Sequence, residues 1–130
     1  MITHGGRTTI RFSAFTLSIP LILAAVSFSG CHAHTDAILG AAPAAAATAT
    51  VKQLAQMKNG THVTLQGEMV EKCPISGCWF MLKDKTGVVR VDTKASGFVV
   101  AAVPLHSNMT VSGEAVAGNQ PGLNAAGVRY

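Results

Sequence analysis

Charge is scarce in this chain: ten Lys and Arg stand against six Asp and Glu over 130 residues. No basic cluster occurs, which argues against a dedicated nucleic-acid footprint, because neutralising phosphates takes gathered Lys and Arg. Aromatics are few as well, with one Trp and one Tyr, so a groove that stacks several bases is poorly supported. A paired-carboxylate constellation, a phosphate-cradling glycine loop and a Gly-x-Ser-x-Gly elbow are all missing. The expectation is a protein that is not an enzyme. Cysteine is limited to Cys31, Cys73 and Cys78. Without a His-x-x-x-His or a second cysteine pair, no complete zinc ligand set is spelled out locally.

What is present begins with a leader. Arg7 and Arg11 precede an uncharged, mostly apolar stretch from Phe12 to Phe28, and small residues Ser29 and Gly30 then precede Cys31. That is the layout of a secretory signal over residues 1–30. The stretch is at or below the roughly 17–25 residues of a comfortable transmembrane helix, and Pro20 interrupts it. Ser29-Gly30-Cys31 resembles the lipobox of bacterial lipoproteins, with Phe28 where that family usually has Leu. The resemblance implies cleavage before Cys31, lipidation of Cys31, and a cell-envelope protein facing the periplasm. His32 rather than Asp after the cysteine implies an outer-membrane address in a Gram-negative cell. Several acyl chains anchor stably where one does not. Losing Arg7 and Arg11 leaves eight basic against six acidic residues, so the net charge drops from +4 to about +2.

From 31 to 49 the composition collapses to Ala, Thr and Pro and reads as a tether. Fully extended, it would reach about 65 Å. His32-x-His34 lies beside the anchor and reads as part of that tether. Thr50-Val51-Lys52-Gln53 has the spacing of a capping box. Val51, Leu54, Ala55 and Met57 then follow at helical spacing until Gly60. The spacing predicts a helix of about two and a half turns, too short to stand without packing on the domain.

Alternation takes over after Gly60. Val63, Leu65, Gly67 and Met69 share one strand face, and the slip at Val70 with Gly67 mid-strand predicts a bulged, curved strand. Cys78–Lys83 and Val88–Asp92 read as a hairpin around Asp84-Lys85-Thr86-Gly87. A connection from Thr93 to Ser107, holding Phe98, has room for one helical turn. Two more strands follow, around Met109–Gly113 and over Leu123–Tyr130. Five strands, the first long and bent, make a mainly β domain over 50–130: an OB-type barrel with a short N-terminal helix, or else an open sandwich.

The centre of this pattern is Cys73-Pro74-Ile75-Ser76-Gly77-Cys78-Trp79. With Gly67, Leu82-x-Asp84 and Gly97-Phe98, it resembles a family of small bacterial exported OB-fold domains without a settled activity. That family is itself distantly similar to the tRNA-anticodon-binding type of OB-fold. The resemblance implies the fold and supplies no chemistry.

Three readings of Cys73 and Cys78 follow from their residues. The favoured one is a disulfide staple across the hairpin, since a tight turn can bring Cα atoms within the required distance and exported proteins keep such bonds. The second is a Zn or Cu site using Cys73, Cys78 and His106, with His62, Met69, Met81 or Met109 as further candidates. The third is a redox pair, weakened by the lack of a helix N-terminus to lower a thiol pKa. Trp79 and Phe80 point to opposite faces of their strand, one toward the core and one toward solvent. Trp79, Phe80 and Phe98 are the candidate contact residues. Glu68 and Glu71, near His62 and Lys72, read as a solvated face. The sequence therefore points to a lipid-anchored, non-catalytic envelope module without a cofactor, binding another envelope protein or a small ligand. Metal handling, or an oligonucleotide or oligosaccharide on the OB face, are the rivals.

Overall fold

One strand, β2 (His62–Lys72), pairs with two neighbours in succession and so closes the sheet on itself. The computed structural model describes residues 36–130; the leader, Cys31, His32 and His34 lie outside the described residues. Along its first half β2 runs antiparallel to β5 (Asn108–Val116), from His62↔Glu114 to Glu68↔Asn108. Along its second half it pairs with β3 (Trp79–Lys83), from Glu68↔Lys83 to Lys72↔Phe80, with a bulge between Met69 and Glu71. Gly67 stands at the changeover, where any Cβ would run into the carbonyl of Lys83. The bulge and mid-strand glycine expected from the sequence thus make the corner of the barrel.

The circuit continues from β3 to β4 (Val88–Asp92), antiparallel, and from β4 to β6 (Gly122–Arg129), parallel over Arg90↔Gly122 to Asp92↔Asn124. β6 then returns antiparallel to β5. The result is a closed, mixed, five-stranded OB barrel, and the open sandwich is set aside. Inward residues alternate as strand periodicity demands: Phe80 and Leu82, Val89 and Val91, Met109 and Val111, Leu123 and Ala125 are buried.

Each end of the barrel is plugged. At one end α1 (Val51–Leu54) buries Val51 and Leu54. Thr50 and Gln53 form the expected capping box, with Gln53 N–H donating to Thr50 Oγ1 at 3.3 Å and Thr50 N–H to Gln53 Oε1 at 2.9 Å. The regular helix is one turn, shorter than the two and a half expected. After Leu54 the amides of Gln56 and Met57 reach back only three residues, and Gly60 N–H leaves the segment for Ala115 O. At the other end the connection after β4 carries a 3-10 turn, Lys94–Ser96, and drops Val100 and Val103 fully into the core.

The assignment of 31–49 as a tether and of 50 as the domain's first residue is corrected from Ala37 onward. Ile38–Gly40 forms β1, antiparallel to the end of β6. Ala41 N–H donates to Ala126 O, Arg129 Nη2 donates to the carbonyl of Pro43, and Thr48 N–H donates to Thr64 O. Pro43 and Thr64 are buried as a result. The reason is an edge: β4 covers β6 only as far as Asn124, leaving the rest of β6 with unpaired backbone groups on that side. Backbone hydrogen bonds need no side-chain pattern, so an Ala-rich segment can supply them.

Asp84 fastens α1 to the β3–β4 turn. Its Oδ1 accepts from Thr86 N at 2.7 Å, Thr86 Oγ1 at 2.6 Å and Gly87 N at 3.0 Å, while Oδ2 accepts from Val51 N at 2.8 Å. Partial burial raises its carboxyl pKa, but the Thr86 hydroxyl and the Val51, Thr86 and Gly87 amides outweigh it and the net is lowered. A lowered folded-state pKa means stability that is present above the ordinary Asp value, near about 3.9, and lost as pH falls through the folded value. Asp84→Asn is expected to lower unfolding stability by about 1 kcal/mol at neutral pH. Urea midpoints at neutral and acid pH check this, and the variant should show the flatter acid dependence.

Candidate functional site

The turn 73–78 between β2 and β3 and the connection 93–107 meet at one end of the barrel and hold each other. Val100 N–H donates to Gly77 O at 2.9 Å, and Thr93 donates to Cys78 O through both its N–H and its hydroxyl, each at 3.0 Å. Lys72 Nζ reaches across to the carbonyls of Ala101, 2.7 Å, and Val103, 2.6 Å. Lys72 is thus the tie that fixes the connection. Nothing local in the sequence signals this, because its acceptors lie about thirty residues on.

Cys73 sits at the mouth of the turn. Its N–H donates to Trp79 O at 3.0 Å, its carbonyl accepts from Gly77 N at 3.1 Å, and its sulfur lies 3.7 Å from Ser76 Oγ. Gly77 has φ 63°, a left-handed conformation, and a Cβ there would lie 2.5 Å from Ala101 N, so glycine lets the turn and the connection approach closely. The N–H groups of Ser76 and Ile75, the Ser76 hydroxyl and the Gly77 N–H outweigh a small desolvation rise and lower the thiol from 9.0 to about 6. Sequence reasoning missed this, because it sought the electropositive setting at a helix terminus and not in a turn. Cys73 and Cys78 are both half-buried free thiols in this structure, and the disulfide expected between them is not formed.

The proposed metal set is not brought together. Among the described residues no three His, Cys, Asp or Glu side chains converge in a way that could hold an ion. His106, at φ 67°, has its Nδ1 2.5 Å from Glu68 Oε1, and its N–H donates to Met69 O at 2.8 Å. His62 faces Glu114 across β2 and β5 at 3.6 Å. Met69 and Met109 are core residues, and Met81 is half-buried on β3.

The three candidate contact residues sit in different surroundings. Phe80 has no exposed surface and is the largest fully buried side chain. Phe98 packs its ring on β1, where a Cβ on Gly40 would come within 2.8 Å of it. Trp79 is half-buried on the outer side of β3, and the guanidinium of Arg90 lies over its ring, 4.7 Å from the centroid. Alternation puts Met81 and Lys83 of β3 and Val88 and Asp92 of β4 on the same outer face. Beside Arg90 a cleft of about 190 Å³ opens between β4 and the β5–β6 loop, with Asp92, Gln120, Pro121 and Asn124 on its walls. A larger open cleft, about 330 Å³, lies elsewhere, between β2, β5 and the end of β6, walled by Gln66, Asn108, Arg129 and Tyr130. At the turn itself Ile75 is 94% exposed, an apolar tip with no cover.

A five-stranded closed barrel with this strand order is an OB-fold protein. The family model for the bacterial OB fold (BOF) protein matches residues 27–119, well over half of the chain, and the chain belongs to that family. The match takes in the stretch before residue 50 that the structure stitches into the barrel. Among solved structures, the chain is similar to the hypothetical protein ygiW from E. coli. The TM-score is 0.53 at 23% identity, covering 70% of this chain and 97% of that one. At that identity the likeness shows the fold alone. No curated protein matches the chain.

Lys72→Met should loosen the 97–103 connection without unfolding the barrel. Losing two hydrogen bonds from a charged donor should cost about 1–3 kcal/mol. Hydrogen exchange checks it: the Val100 and Val103 amides should exchange faster, and the β2–β5 amides should change least.

Proposed function

We propose that this chain is a non-catalytic binding module of the cell envelope, tethered to the membrane through lipidated Cys31. Its contact surface is the outer β3–β4 face around Trp79, together with the neighbouring 73–78 turn. The observation that carries the reading is Trp79, half-buried on the outer face under the Arg90 guanidinium, with Arg90 itself on the wall of the neighbouring cleft. OB barrels use the face of their second and third strands for ligands, and β3 and β4 are those strands here. A planar cation on an indole offers a flat apolar plate with hydrogen-bond donors at its edge. The uncovered Ile75 beside it suits an apolar contact with another envelope protein. In an oxidising envelope Cys73 and Cys78 would close as a disulfide that stiffens this corner.

Two measurements test the two halves of the reading. Expressed at full length in a Gram-negative host, the protein should pellet with membranes and carry a lipid mass on Cys31. Cys31→Ser should release it to the soluble fraction, and an unlipidated, soluble wild type would overturn the tether. A photo-crosslinker at Met81 should capture a specific envelope protein or ligand, with capture reduced at least about tenfold by Trp79→Ala, equivalent to about 1.4 kcal/mol of binding. Capture unaffected by Trp79→Ala would move the contact surface elsewhere. Capture that collapses steeply with added salt would favour a polyanion such as an oligonucleotide.

A further inference from the structure

The 73–78 turn presents two thiols in unequal surroundings. Around Cys73 the Ser76 hydroxyl lies 3.7 Å from the sulfur, and the backbone N–H groups of Ser76, Ile75 and Gly77 favour its anion. Cys78 is pinned through its carbonyl by Thr93, at the foot of β3. The two are joined by a four-residue turn whose ends are hydrogen-bonded, Cys73 N–H to Trp79 O. Donors aimed at a sulfur stabilise its anion, and the anion is the form that attacks disulfides.

We propose that Cys73 and Cys78 form a reversible dithiol–disulfide couple, with Cys73 the attacking thiol and Cys78 the resolving one, exchanging with a disulfide-bearing partner. The Cys73 thiolate attacks one sulfur of the partner's disulfide. The Cys73–partner bond forms as the partner's own S–S bond breaks, and the second partner sulfur leaves as a thiolate. Cys78 then gives up its proton and attacks the Cys73 sulfur of the mixed disulfide, forming the Cys73–Cys78 bond and expelling the remaining partner thiolate. The chain loses two electrons and the partner's disulfide gains them as two thiols. The reverse sequence reduces the pair. Oxidation replaces the Cys73 thiolate, at the turn that leads into Trp79, with a neutral disulfide, so the redox state alters the contact corner proposed above. The inference rests on that reading for its setting, and the couple itself is measurable wherever the chain resides.

The favourable thiolate fraction of Cys73 is partly offset by the weaker nucleophilicity of a low-pKa thiolate. The contrast with Cys78 is therefore best read at pH 6. The full chain, purified in detergent and reduced, is treated with iodoacetamide and mapped by peptide mass. Cys73 should label about tenfold faster than Cys78. Equilibrated with reduced and oxidised glutathione, the wild type should interconvert between a dithiol and a species lighter by two hydrogens. Cys78→Ser should stop at a Cys73–glutathione adduct, while Cys73→Ser should form its Cys78 adduct more slowly. Repeating the exchange with a disulfide-bonded peptide separates sources: faster exchange than glutathione points to a polypeptide partner, slower to a small molecule. Equal labelling of the two cysteines, or no internal disulfide in the wild type at any glutathione ratio, would overturn the couple. The wild-type equilibrium needs no variant to fold. Label appearing on Cys31 would count against lipidation alone, which keeps the two proposals separable.

Discussion

The fold depends on β2 serving two partners. A sheet of five strands closes only if one strand bends from one neighbour to another, and β2 does so between Gly67 and Glu71. The bend needs a residue without a Cβ where β3 begins to pair, and a bulge that frees backbone groups just beyond it. Those freed groups are used at once: Met69 N–H donates to Ser107 O, and Met69 O accepts from His106 N–H. The corner of the barrel is thus also the anchor for the end of the 93–107 connection. From there the positions of Val100 and Val103, and of the 73–78 turn against them, follow by direct hydrogen bonds.

That chain of ties makes the thiol corner rigid where turns are commonly loose. Lys72, Gly77 and Cys78 each offer a backbone or side-chain group to the connection, so the turn is held on one side by the sheet and on the other by Val100 and Thr93. Rigidity matters for a donor nest, since amides lower a thiol pKa only while they stay aimed at it. It matters for Trp79 as well, whose ring is bounded by Arg90 across the strand pair and by the turn one residue away.

Side-chain patterning made most of the barrel legible and backbone pairing hid the rest. The alternation in Val63 to Met69, the slip at Val70, the Asp84–Gly87 turn and the Thr50–Gln53 box each correspond to what the structure contains. All of them are local signals with a direct side-chain cause. β1 was missed because Ile38–Gly40 is recruited by an open edge of β6, and an edge leaves no trace in the recruited segment. Phe80 and Phe98 were grouped with Trp79 because an aromatic does not announce its face. Alternation predicted that Trp79 and Phe80 would part, and the core took Phe80. The metal set failed on distance in space, with His106 held to Glu68 at the barrel corner. The setting of Cys73 is made by backbone amides of a non-helical turn, and residue types alone do not show which way such amides face.

Ala37 and Tyr130 exchange two backbone hydrogen bonds, each 3.0 Å. The two ends of the described domain therefore meet, and the chain runs as a ring that happens to be cut between them. In such a ring the order of strands along the sequence is a convention of where the cut falls, not a requirement of the packing. A cut moved to the exposed 117–120 loop, with Tyr130 joined to Asp36 by a short linker, would preserve every strand pairing in the barrel. The same geometry makes the meeting point a hinge pin. Anything attached before Ala37 or after Tyr130 leaves from one spot.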